Sequence, residues 1–130
     1  MKTSTTAAIA ALLLLTCRPA FALSFKDAAE NLFLFEYALQ SADYCEQRGY
    51  PSPSIFLVWQ PKYVHLQRES VKRILEEGES RGLVKSEQDQ LLSEARALHR
   101  KTAAENIGKK GIPCAKYRAF LDGYHELLHK

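Results

Sequence analysis

The sequence predicts an all-α domain, a small antiparallel four-helix bundle closed by one disulfide. Three observations predict it. After residue 22, apolar residues recur at threes and fours along most of the chain, the period of helices buried on one face. Glycine and proline punctuate the chain at Gly49–Pro53, Gly78–Gly82 and Gly108–Pro113, which leaves four helical segments joined by short links. No stretch alternates as a strand would, apart from the ambiguous run Ile55–Trp59.

Met1–Ala22 reads as a secretory signal peptide. Lys2 supplies the positive start, Ala7–Leu15 the apolar run, and Ala20-Phe21-Ala22 the small-x-small cleavage site. The apolar run falls short of the roughly 20 residues that span a bilayer. Lipid modification at Cys17 is the alternative, but Thr16 stands where such sites want Gly, Ala or Ser. Residues 23–130 then form a single domain. The precursor carries 18 Lys+Arg against 15 Asp+Glu, and loss of Lys2 and Arg18 leaves the remainder nearly neutral. Net charge therefore gives no reason to invoke nucleic acid. Cys17 departs with the leader, and Cys45 and Cys114 remain. Two cysteines in an exported chain predict one structural disulfide.

The first helix is predicted from Phe25 to Gln47. Ser24 and Asp27 form a capping signature at its start, and Ala28, Leu32, Phe35, Leu39 and Ala42 make its core stripe. Phe33, Tyr37 and Tyr44 give it a second apolar face, which marks it as the central helix, and Gly49 ends it. The second segment runs to Glu79 through Val64, Val71, Ile74 and Leu75, and Pro61 demands a kink or a short separate helix before it. Ser86 with Asp89 opens the third, whose stripe is Leu91, Leu92, Ala95, Leu98, Thr102 and Ala103. Pro113 opens the fourth, with Cys114, Tyr117, Leu121, Tyr124 and Leu128 in line. In an up-down-up-down bundle, the end of the first helix and the start of the fourth lie together. Cys45 can then meet Cys114.

Three constellations bear on function. His125-Glu126-Leu127-Leu128-His129 has the His-Glu-x-x-His spacing with which zinc hydrolases chelate metal and hold a general base. Only Lys130 follows it, so a third ligand must come from upstream, and no second lobe is present to hold a peptide. On a helical wheel His125 borders the core stripe, His129 lies farther out and Glu126 opposite. The expectation is metal binding at His125, Glu126 and His129 as a minority reading, with zinc the only cofactor in view. Phe56, Trp59 and Tyr63, in a proline-bounded aromatic stretch, suit either an interface hot spot or a cap on the core. Lys109 and Lys110, placed beyond the third helix, offer a basic contact. No G-x-S-x-G, P-loop, EF-hand or dinucleotide fingerprint is present. Together these features point to an exported, non-enzymatic protein of the cell envelope that binds a protein partner, such as an inhibitor or immunity protein. The alternatives are a zinc-binding protein or zinc-dependent hydrolase, and an accessory subunit of an envelope assembly.

Overall fold

The computed structural model describes residues 23–130, and the predicted leader Met1–Ala22, with Cys17, lies outside them. Six α-helices fill the four legs: α1 Phe25–Glu46, α2 Ser52–Trp59, α3 Val64–Ser80, α4 Lys85–Lys110, α5 Tyr117–Asp122 and α6 Tyr124–Leu127. Short 3-10 turns at Gln60–Lys62 and Cys114–Lys116 precede α3 and α5. No strand occurs among the described residues. The fold is an all-α bundle, as the periodicity predicts.

Helix α1 is the axis of the molecule. Ser24 caps it, its Oγ accepting from the Asp27 N–H at 3.0 Å. Gly49 takes the left-handed conformation at φ 86° that ends the segment. Ala28, Ala38 and Ala42 are buried on α1, and their small side chains let neighbouring legs approach closely. Leu39, expected in this stripe, is 38% exposed, and Ala38 takes the inward place. The legs alternate in direction around this axis. Asn31 of α1 meets Ser70 of α3, and Leu23 accepts from Arg73, so those two helices run antiparallel. Phe33 packs edge-on to His99 and Tyr37 donates to Asn106, so α4 returns parallel to α1. Tyr117 and His129 contact Ala38 and Asn31, which makes the last leg antiparallel.

Pro61 splits the second leg as expected. Its ring cannot continue the helix of α2, and the 3-10 turn at Gln60–Lys62 re-aims the chain into α3. The main core lies between α1, α2 and α5–α6, where Phe35, Ala42, Phe56, Trp59, Tyr117, Leu121, Tyr124 and Leu128 pack together. Trp59 is its hub, with ring centroids 5.0–6.0 Å from Phe35, Phe56, Tyr63 and Tyr124. Ser52 ties the start of α2 to α1 by donating to the Ala42 carbonyl at 2.8 Å. The Tyr117 hydroxyl, buried between legs, donates to the Ala38 carbonyl at 2.8 Å, and burial pushes its pKa upward. Cys45 and Cys114 form the disulfide, their Cα atoms 5.3 Å apart across 69 residues of chain.

The stripe of α4 is met in part: Leu92 and Ala95 are half-buried and Ala103 is buried, as expected, whereas Leu91, Leu98 and Thr102 face outward. Leu91 and Leu98 are 51% and 62% exposed, and the residues fully buried on this helix are Ala103 and Ile107. The face turned inward also carries Gln88, Arg96, His99 and Asn106. Their polarity hides that face from an apolar periodicity, and Leu91 and Leu98 lie about a quarter turn away. The helix also starts earlier than Ser86. Glu87 reaches back to the Val84 N–H at 2.9 Å, so Ser86 sits inside the first turn.

Candidate functional site

The carboxyl-terminal leg decides where the histidines go. Gly123 interrupts it, α6 is a single turn, and the backbone turns extended at Leu128 (φ −71°, ψ 126°). Leu128 drops into the core at 4% exposure, while His129 returns to the start of α1. A buried amide receives it there. Asn31 accepts from the His129 N–H at 2.8 Å and donates to the His129 carbonyl at 2.9 Å. The same amide nitrogen also reaches Ser70 Oγ at 3.2 Å, and Ser70 in turn donates to the Leu66 carbonyl at 2.7 Å. The arrangement satisfies a chain end that has left its helix.

The imidazole of His129 lies between two acids of the first turns of α1. Its Nε2 is 2.7 Å from Glu30 Oε2 and its Nδ1 is 3.5 Å from Asp27 Oδ1. Lys26 approaches the other Glu30 oxygen at 3.6 Å. His125 has different neighbours: its Nδ1 lies 3.3 Å from the Tyr63 hydroxyl and its Nε2 3.4 Å from Lys130 Nζ. The expectation that His125 and His129 stand one helical turn apart on one face is therefore corrected. The helix ends between the two histidines, and each ring is engaged by a different part of the fold. Glu126 lines an open groove of about 770 Å³ with Glu30, His99 and His129, floored by Phe25, Ala29, Phe33 and Leu127. Burial holds the His99 imidazole below its ordinary pKa, against a smaller upward pull from Glu36.

The aromatic stretch resolves in favour of the core. Phe56 and Trp59 are 6% and 3% exposed, so neither offers a surface to a partner, and Tyr63 is half-buried against Trp59. The outward positions of α2 are Leu57 and Val58, 65% and 59% exposed. Apolar residues occupy both faces of this short helix. The helix is thus covered on one side only. Sequence reasoning could have found this pair, because a helix apolar all round must bury both faces or present one.

Lys109 and Lys110 belong to the last turn of α4, which Gly111 closes at φ 72°. They are not outside the helix, and cations in a last turn suit its dipole. The disulfide lies beside a surface groove of about 460 Å³ lined by Tyr44, Arg48, Tyr50, Pro113, Cys114 and Lys116. Arg48 is committed within it, stacked 3.4 Å over the Tyr44 ring. At the junction of the second and third legs, Glu77 and Asp89 are paired locally. Arg73 and Arg81 both bind Glu77 at 3.0 Å and lower its pKa, and Lys85 pairs with Asp89.

No described helix is long and apolar enough to cross a membrane. Comparison of the chain with models of protein families, with curated proteins and with solved structures finds no match.

Proposed function

We propose that the protein is an exported, non-enzymatic binding protein of the cell envelope, of the inhibitor or immunity type, that engages a protein partner through the outward face of α2. The observation that carries this reading is the exposure of Leu57 and Val58, at 65% and 59%. They project from a helix whose other face is locked into the aromatic core through Phe56 and Trp59. Pro51 precedes it, Pro53 lies in its first turn and Pro61 follows it. An aliphatic pair exposed on a rigid helix can be buried in an apolar pocket on another protein at little cost in ordering entropy. The leader-like Met1–Ala22 and the Cys45–Cys114 disulfide support export to an oxidising compartment, periplasmic or extracellular.

The test compares capture from envelope extracts by the wild-type chain, by Leu57→Ser/Val58→Ser and by Lys109→Ala/Lys110→Ala. The reading expects a partner held by wild type and by the lysine variant, and released at least tenfold by the α2 variant with its helical spectrum intact. Equal capture by all three would remove α2 from the interface.

A further inference from the structure

We propose that Asp27, Glu30 and His129 form a binding site for one divalent first-row metal ion, with Zn²⁺ matching its donor set. This goes beyond the partner-binding reading and does not depend on it. One ligand atom from each residue lies within 4.8 Å of the other two. The three come from opposite ends of the described chain. Asp27 and Glu30 stand three residues apart, on one face at the start of α1, and the returning tail lays His129 against them.

The tail is positioned independently of its side chain. Asn31, fully buried, holds both the N–H and the carbonyl of His129. That hold keeps the His129 backbone beside α1 while its imidazole exchanges its contacts with Asp27 and Glu30 for a bond to a metal, so part of the site is preorganised. The two acids face different ring nitrogens, Glu30 at Nε2 and Asp27 at Nδ1, so a single ion on Nε2 requires the Asp27 carboxylate to swing toward that nitrogen from within 4.8 Å. Tetrahedral ligands at 2.0–2.2 Å from zinc stand about 3.3 Å apart, so the 2.7 Å pair of His129 and Glu30 opens by about half an ångström. All three side chains are partly exposed, which leaves Asp27 room for its swing and Glu30 and His129 room to separate.

The donor chemistry selects the ion. A neutral imidazole with two carboxylates suits zinc and its first-row neighbours, whereas Ca²⁺ and Mg²⁺ prefer all-oxygen shells. Two carboxylate charges match a dication, and Lys26, which binds Glu30 from an 83% exposed position, can withdraw into solvent. Glu30 and His129 also line the open groove that holds Glu126, which leaves room for a fourth ligand. A bound ion would fasten the tail to the start of α1.

The site makes a different demand from the His-Glu-x-x-His reading, because it needs Asp27 and Glu30 and does not need His125. The experiment is titration of the untagged, oxidised, metal-free protein with Zn²⁺, followed by native mass spectrometry and calorimetry. Wild type and His125→Ala should each bind one zinc with matching affinity and gain melting temperature. His129→Ala and Asp27→Asn/Glu30→Gln should lose at least tenfold in affinity while melting near wild type without metal. In wild-type protein, the ring ¹⁵N resonances of His129 should move on adding zinc and those of His125 should not. Absence of a stoichiometric zinc, loss of zinc in His125→Ala, retention of it in Asp27→Asn/Glu30→Gln, or movement of His125 alone would each overturn the assignment. The resonance measurement decides the matter on folded wild-type protein if a variant fails to fold.

Discussion

Asn31 is a polar residue in an apolar register, placed between Ala28, Leu32 and Phe35 on the helix that everything else packs around. Its amide has specific work to do. It supplies partners to a chain end that has left helical geometry, at the one point where that end crosses α1. Replacing it by Leu would leave the His129 N–H and carbonyl without their partner, while Ser70 keeps its bond to Leu66, at a cost of about 1–3 kcal/mol. Denaturant midpoints should fall accordingly, and amide exchange at His129 should accelerate; unchanged exchange would show that the tail is held by other contacts. Trp59 is the corresponding apolar position. Truncation to Ala should cost about 3–5 kcal/mol in urea unfolding, because four aromatic neighbours lose their shared partner. His99 supplies a pH dependence. Burial lowers its pKa in the folded protein, so the unfolded chain takes up the proton first as pH falls. The stability it permits is complete above about pH 6.5 and declines as pH drops toward the lower folded value. Urea midpoints at pH 7.5 and pH 5 should therefore differ less in His99→Gln than in wild type. None of these roles is written in residue type alone. An Asn within a helical stripe reads as a surface position until its partner, 98 residues away, is known.

Elements were legible to different degrees, and each shortfall has a physical source. Helix α1, with its Ser24 cap and Gly49 exit, was readable because apolar period, cap and stop all agree. The break at Pro61 was readable because proline cannot donate within a helix. The burial pattern of α4 was readable only in part: Leu92, Ala95 and Ala103 face inward as expected, but Gln88, Arg96, His99 and Asn106 share that face and interrupt its apolar period. The end of α6 was not legible, since Leu127-Leu128-His129 continues the apolar period while the backbone turns extended to send Leu128 into the core. That local departure dissolves the two-histidine motif. It also changes what α2 offers: spacing pointed to Phe56 and Trp59, whereas packing consumes both and leaves Leu57 and Val58. Exposed substitutions on α2 should accordingly be tolerated. Leu57→Ser with Val58→Ser should shift thermal stability by no more than about 1 kcal/mol, and a larger loss in a thermal melt would mean that this face is covered within the fold.

At the scale of the molecule, one helix runs along the centre and the disulfide fastens its far end to the start of the last leg. The Asn31–His129 pairing fastens its near end to the finish of that leg. Closing a 69-residue separation should contribute about 4 kcal/mol through the unfolded state, a large share of a small domain's stability. Reduction should therefore lower the unfolding midpoint sharply while the helical spectrum in water persists. The same clamps leave α2 rigid at its base and bare on its outer side. The most direct measurement is photo-crosslinking in cells that express the full chain, with a photoreactive residue at position 57 and, as control, at position 87 on the exposed start of α4. Engagement through α2 predicts one discrete adduct from position 57 and none from position 87. No adduct from position 57, or the same adduct from both, would contradict it.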